Sequence, residues 1–327
     1  MAKKKHELLT EAEREQLIGI PRDRDALARL YTFEPGDIAF IGARREKRNW
    51  LGVAVQLALL RHPGVSLTQM LQSGRDLPPE LVAFVAEQLG LSPSLLANYA
   101  AREQTMTDHG RELAGRLGLR NPVRADIPLM IDAAAKAAWA TDKGTIVAAG
   151  VVAALRAAGI LLPAMSTIER AGIAGRARAR KQAALAMLAP VSAGQLEALE
   201  GLFVPDAPDG ATRLTWLKTI PIAAKADHIR QILDRLEFVR QIDIPAEAAS
   251  AVHPDRYRQF VREGRVSASY MIERYATPRR HATLVAFLID IEERLTDAAV
   301  EMADKLIGCQ HRDKNGPGTG LKRGQLG

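Results

Sequence analysis

The chain has 327 residues, 47% of them hydrophobic and only 5% aromatic, with a single cysteine, Cys309. That length holds two or three packed domains, and one cysteine excludes an internal disulfide and fits a reducing cytoplasm. The net charge of +7 is modest for this length, so the total alone does not establish binding to nucleic acid. Alanine, leucine, arginine and glutamate dominate, and these are the strong helix formers. The expected fold is all-α, a succession of small helical subdomains with helix-turn-helix-like units.

The N-terminal Lys3-Lys4-Lys5 is followed by His6 and Glu7 without an apolar core, so it does not read as a secretory signal. Thr10 with Glu13 has the spacing of a capping box and opens the first helix, which Pro21 ends. Asp23 caps the next helix, which bears Leu27 and Leu30. Pro35-Gly36-Asp37 reads as a turn. A basic patch of Arg44, Arg45, Lys47 and Arg48 follows, and the apolar run Trp50 to Leu60 predicts a buried helix ended by His62-Pro63-Gly64.

Residues 82–102, VAFVAEQLGLSPSLLANYAAR, have the form of two helices about a turn. Ala86 is small where the helices approach, and Gly90 suits the turn. Val85, Leu89, Leu91, Leu96 and Tyr99 fall where such a unit buries apolar side chains. Ser92 is the expected cap and Pro93 the first helical residue. The second helix would then expose Ser94, Asn98 and Arg102, and Asn and Arg are the side chains that make bidentate contacts to adenine and guanine. An ordinary helical hairpin has the same pattern.

After a composition break at residues 119–126, the stretch from Gly144 to Met165 is apolar but carries Arg156 near its middle, so it predicts a buried helix and turn rather than a membrane span. Next comes GILLPAMSTIERAGIAGRARARK, residues 159–181. Leu155, Gly159, Ile160 and Ile168 frame a second unit, and Ser166 or Thr167 is its expected cap. Arg170, Arg176, Arg178, Arg180 and Lys181 follow with Glu169 as the lone acid. A helix start followed by such a run suits phosphates and base edges, although most charge runs are solvated faces.

A second break, VPDAPDGA, lies at residues 204–211. The expected divisions are therefore residues 1–120, 121–204 and 205–308, with a disordered tail at 309–327. The local excess of basic over acidic residues is 17 against 15, 9 against 6, 15 against 16, and 4 against 1 in turn, so short clusters must do any phosphate binding. Thr277-Pro278-Arg279-Arg280-His281 begins an amphipathic helix, where Arg279 and Arg280 oppose the helix dipole. They await either a phosphate or a carboxylate on a neighbouring helix. The sequence has no phosphate-binding loop, no Cys/His cluster for zinc and no carboxylates on strands, so no catalytic residue, metal or cofactor is expected. His253-Pro254 reads as a turn.

From Leu8 to about Gly308 the chain resembles the N-terminal part of the transposases of the Tn-three family, the replicative class II transposons. The likeness rests on LLTEAEREQLIGIPRDRDALARLYTF, WLGVAVQLALLRHPG, PPELVAFVAEQLGL and NYAAREQT, then ATDKG and ILLPAMSTIERAGIAGRARAR. TRLTWLK, AVHPDRYRQFVREGR and PRRHATLVAFLIDIEERLTDAAVEMADKLIG complete it. The resemblance implies a helical region that binds the terminal inverted repeats of the transposon as double-stranded DNA, with the metal-dependent Asp-Asp-Glu domain further along the full-length protein. The residues after Gly308 depart from the family, which suggests a chain cut short before catalysis by truncation or frameshift. On this expectation Arg44, Arg45, Lys47, Arg48, Arg176, Arg178, Arg180 and Lys181 hold phosphates, and Ser94, Asn98, Arg102, Thr167 and Arg170 lie nearest base edges. The expected location is the bacterial cytoplasm, with no membrane and no small-molecule substrate. Three alternatives stand beside it: a nuclease or transposase active on its own, a module that pairs with full-length transposase or with itself, and a decayed frame without a role.

Overall fold

Helix-forming residues at helical spacing produce helices throughout. The computed structural model describes residues 8–314 other than Ser73, Arg75, Arg102, Ala207, Asp209 and Ala224, and gives only the backbone of Ala100 and of residues 307–314. Among the described residues there are eighteen α-helices and no strand. Packing divides the chain into two units, one up to Ala179 and one from Arg180 on. The composition breaks do not coincide with that division. Across residues 119–126 the Arg120 N–H donates to the Gly159 carbonyl at 2.9 Å, and the Leu161 N–H returns to the Arg120 carbonyl at 2.9 Å. Across residues 204–211 the Leu214 N–H donates to the Leu202 carbonyl at 2.9 Å.

In the first unit, α1 (Glu11–Ile18) opens with the Thr10–Glu13 capping box and α2 (Arg24–Tyr31) with Asp23, whose carboxylate accepts from the Ala26 N–H at 2.9 Å. Pro35-Gly36-Asp37, expected as a turn, instead begins α3 (Pro35–Gly42), because proline at the first helical position and an acid in the first turn are also what a helix start needs. The run from Leu51 to Leu60 in α4 (Lys47–Arg61) is buried on every side. Around it lie α5 (Leu67–Gln72), α6 (Pro79–Gln88), α7 (Leu95–Ala100) and α8 (Glu103–Arg116). Asp37 is buried, and Arg61 grips it with two hydrogen bonds of 2.7 and 2.8 Å, which clips α3 to α4. Gly52 in α4 faces Tyr99 of α7 so closely that a Cβ there would run into the ring.

A short 3-10 turn (Arg124–Asp126) leads into α9 (Ile127–Ala137), which pairs with α10 (Gly144–Ala157). Val147, Ala148, Val151, Val152 and Leu155 of α10 are buried, and no described helix is long and apolar enough to cross a membrane. Then α11 (Met165–Leu188) presents Gly172 to Leu8 and Val147 and Gly175 to Ala134, with Ala171 buried beside them in sequence. Arg14 of α1 binds Glu169 of α11 through Nε at 3.1 Å and Nη2 at 3.2 Å.

The second unit holds α12 (Ala193–Gly201), α13 (Arg213–Lys218), α14 (Ala226–Ile242), α15 (Glu247–Ser250), α16 (Pro254–Val266), α17 (Ser269–Glu273) and α18 (Thr277–Lys314). α18 is the axis, with Leu284, Val285, Phe287, Leu288, Ile291 and Leu295 buried against α14 and α16. It runs on to Lys314, six residues into the segment expected as tail, and residues 315–327 lie outside the described residues. His253 caps α16, its ring accepting from the Asp255 N–H.

Two outcomes test this packing. Gly52→Ala gains about 0.5–1 kcal/mol of helix propensity but overpacks Tyr99, so a net loss of about 1–2 kcal/mol is expected in denaturant unfolding. Two hydrogen bonds from Arg120, at 2.8 and 2.6 Å, together with one from the Val123 N–H, hold the Asp126 carboxyl down at about 2. Its contribution is therefore full above the ordinary carboxylate pKa and is lost as pH falls toward 2. The stability difference between the wild type and Asp126→Asn should shrink over that range.

Candidate nucleic-acid interface

The basic turn between α3 and α4 is built on an aromatic ring. The Arg44 guanidinium lies 4.5 Å from the Phe40 centroid and that of Arg116, from the end of α8, lies 4.6 Å from it. Arg44 also pairs with Glu112 at 2.8 Å, and the Trp50 indole N–H donates to the Arg44 carbonyl at 2.7 Å. Arg48 pairs with Glu46. Arg44 and Arg48 each keep a buried Nε without a hydrogen-bond partner. Arg45 and Lys47 are exposed, and neither has a carboxylate partner among the described residues. Arg116 was not foreseen: it stands 68 residues past Arg48, and no local pattern links it to Phe40.

This turn leads into α4, which packs against α7 and α8. The Arg44 charge acts on both the Tyr99 hydroxyl of α7 and the His109 ring of α8. Gly90 turns the chain between α6 and α7 at φ 63°, where a side chain would be strained. Val85 and Tyr99 are fully buried, Leu89, Leu91 and Leu96 pack against the core, and Ser94 and Asn98 are exposed. The cap differs from expectation. α7 begins at Leu95 rather than Pro93, Ser94 occupies the N-cap position, and the Ser92 hydroxyl bonds the Ser94 hydroxyl at 2.8 Å instead of a backbone N–H. Residues 92–94 instead form a tight turn, with the Leu95 and Leu96 N–H groups donating to the Ser92 and Pro93 carbonyls at 3.2 Å. Arg102 lies outside the described residues.

At the second unit of the pattern, Gly159 turns at φ 64° and Leu155, Ile160 and Ile168 are buried. Ser166 and Thr167, expected as caps, sit in the first turn of α11, because the helix already starts at Met165 and the Ala164 carbonyl accepts the Thr167 N–H at 2.8 Å. Ser166 is exposed and lines a cavity of about 370 Å³ with Arg14, Gln69, Met165 and Glu169. Arg170 is exposed and leans on the Ser166 carbonyl and the Thr167 hydroxyl at 3.3 Å. Arg176 donates to the Asp142 carbonyl at 3.3 Å, and Arg178 pairs with Asp132. Arg180 and Lys181 belong to the second unit; Arg180 is half-buried and Lys181 exposed.

At the head of α18 the two arginines have carboxylate partners. Arg279 reaches Glu263 of α16 at 2.9 Å and lies 4.0 Å from the Tyr275 centroid. Arg280 reaches Glu200 of α12 at 2.7 Å, and His281 shares the same carboxylate oxygen. Burial pushes the Glu200 carboxyl up, but the bonds from Arg280 and His281 outweigh it and hold the group below its ordinary range. These pairs already relieve the unfavourable placement of cations in a first helical turn. Among the described residues, no three His, Cys, Asp or Glu side chains are grouped to hold a metal. Arg280→Ala is expected to cost the second unit up to about 1 kcal/mol, as a partly exposed pair does, and to leave affinity for DNA unchanged in a binding titration.

Comparison with known proteins bears on these surfaces. The family model described as Domain of unknown function (DUF4158) matches residues 8–175. The chain is 30% identical over 310 residues to the transposase for transposon Tn501 of Pseudomonas aeruginosa, covering 93% of this chain and 31% of that protein. It is 33% identical over 303 residues to the transposase for transposon Tn3926 of Escherichia coli, covering 92% and 30%. With the transposase for transposon Tn21 of Escherichia coli it shares 31% over 302 residues, again covering 92% and 30%. The chain therefore spans less than a third of the length of the curated relatives it matches.

Proposed function

Since the chain belongs to the family described as Domain of unknown function (DUF4158) and is homologous to Tn-three-family transposases over 92% of its length, we propose that it forms the part of a transposase that recognises the terminal inverted repeats of a transposon as double-stranded DNA. The observation that carries this reading is that the basic stretch at residues 44–48 opens α4, the helix against which α7 packs. Arg45 and Lys47 offer exposed charge for phosphates in the same unit as a short helix whose outer side chains are Ser94 and Asn98. Phosphate contacts set register, and Asn reads adenine through paired donor and acceptor. Arg170 with Thr167 at the head of α11 is a second candidate reader, and Arg176, Arg178, Arg180 and Lys181 follow as phosphate contacts. Arg44 and Arg48, already paired, orient the patch. The reading assigns recognition, not strand cleavage, to the segment shared with the relatives, and places the protein on DNA in the bacterial cytoplasm.

A second reading has its own support. Val266, Tyr270 and Met271 are 79%, 59% and 46% exposed around the end of α16 and along α17. Apolar side chains grouped in this way suit a protein partner, either a full-length transposase or a second copy of this chain. Co-purification with the full-length enzyme, lost on Val266→Asp, would support it.

The deciding measurement titrates the inverted repeat of the transposon that carries the gene against scrambled DNA of equal length at two salt concentrations. Tighter binding to the repeat is expected. Replacing Arg45 and Lys47 together by Ala should weaken both DNAs and reduce the salt slope by about 0.9 per lost phosphate contact. Asn98→Ala should weaken only the repeat, by about 1–3 kcal/mol. Equal, steeply salt-dependent binding to both DNAs overturns the reading.

A further inference from the structure

We propose that Gln56, Tyr99 and His109 form a proton-sensitive latch that positions α7, so that preference for the specific DNA falls when His109 takes up a proton. The inference rests on the reading of α7 as a DNA-facing helix and adds a means by which that helix is held. Gln56 is the polar side chain within the buried run of α4. Its amide nitrogen donates to the Tyr99 hydroxyl at 2.6 Å and to the Met106 carbonyl at 2.8 Å. A carbonyl only accepts, so the amide must turn its nitrogen this way, and both of its hydrogens are then used. The Tyr99 oxygen therefore accepts from Gln56, and its own hydrogen needs another acceptor. His109 Nδ1 lies 3.2 Å away, with the two rings stacked at 5.8 Å and an interplanar angle of 6°.

With Nδ1 as that acceptor, His109 is neutral and carries its hydrogen on Nε2, the assignment that satisfies the Tyr99 hydrogen. Protonation would set two donors, the Tyr99 O–H and the new Nδ1–H, against each other beside a fully buried ring. The surroundings act in the same direction. Burial pushes the His109 pKa down and Arg44 adds to this, while Glu112 and Asp108 on its own helix partly offset them. Of the other groups facing it, Gln56 does not titrate. Burial raises the Tyr99 hydroxyl to about 12, so it stays neutral throughout. Tyr99 directly follows Asn98, so slack at the hydroxyl is transmitted to the outer face of α7. Gln56 and Tyr99 are thus positioning residues: they touch no DNA and set the place of a residue that would.

The test measures the ratio of affinities for the inverted repeat and scrambled DNA from pH 7.5 to pH 5 in the full chain. Protonation of any exposed group strengthens binding to both DNAs, so the ratio isolates the latch. The wild-type ratio is expected to fall several-fold below pH 6.5. Tyr99→Phe keeps the ring and removes the hydroxyl, and should give a lower ratio at pH 7.5 that changes little with pH. His109→Asn keeps an acceptor near the place of Nδ1 and does not titrate, and should retain the high ratio across the range. A wild-type ratio above one that is independent of pH overturns the latch alone, as does a pH-dependent His109→Asn. A ratio of one at every pH overturns the DNA reading and the latch with it.

Discussion

The ten consecutive buried residues of α4, Leu51 to Leu60, impose the constraint on which the first unit depends. A helix apolar on all sides has no solvent face and is stable only when other helices enclose it. Chain on both sides of α4 is recruited to do so: α3 before it, and α5 to α8 after it. Small residues decide how closely the neighbours come, and the absence of a side chain at Gly52 lets the Tyr99 ring lie against the helix backbone. Enclosure also determines what remains outside. Once Tyr99 is seated against α4, the periodicity of α7 leaves Asn98 turned to solvent. The exposed face of a six-residue helix, too short to be stable alone, is thus defined from within.

Charge pairing sorts the basic residues into those that hold the fold and those that have no carboxylate partner among the described residues. Arg14 with Glu169, Arg61 with Asp37, and Arg120 with Asp126 join segments distant in sequence or close a turn, each through two hydrogen bonds. Fixed bidentate geometry with a buried or half-buried carboxylate is structural use of arginine. Arg45 and Lys47 stand apart from that pattern, exposed on a turn whose other two cations are already held. Arg44 belongs to the first group, since it pairs with Glu112, lies against Phe40 and directs its charge toward the α7 hydroxyl.

Much of this architecture was legible in the residues, because the signals were local. The Thr10–Glu13 box, the Asp23 cap, the enclosed helix at α4, and the turns at Gly90 and Gly159 all depend on chemistry within a few positions. The misreadings were of two kinds. Pro35-Gly36-Asp37 suits both a turn and a helix start, and the caps at Ser92, Ser166 and Thr167 were each displaced by one or more residues, because several neighbouring hydroxyls could serve. The other kind is non-local. The backbone bonds between Arg120 and residues 159–161 join stretches far apart in sequence, which no local signal shows. Nor could spacing show that Arg280 meets Glu200, 80 residues away, or that Arg116 approaches Phe40. The exposed pair Ser94 and Asn98 was legible for the same reason as the core: helical periodicity that buries Tyr99 exposes its neighbour.

The second unit uses its cations differently, and this bears on where recognition is sought. Arg256 is fully buried and bonds the Gln259 side chain at 2.6 Å. Arg235 is buried with its guanidinium 4.5 Å from the Trp216 centroid and its N–H groups on the Trp216 and Gln231 carbonyls. Lys218 donates to the Ser267 carbonyl at 2.6 Å, and burial brings its amine down to about 8. With Arg279 and Arg280 committed to glutamates, these groups spend their positive charge inside the fold. A guanidinium on an indole face or a lysine on a backbone carbonyl releases no counterions when DNA arrives, and counterion release is the main source of affinity for a phosphate backbone. Composition counts Arg235 and Arg256 as basic, yet burial removes them from the surface that DNA would meet. In the first unit, by contrast, Arg45 and Lys47 keep exposed charge, and the same unit turns Asn98 outward.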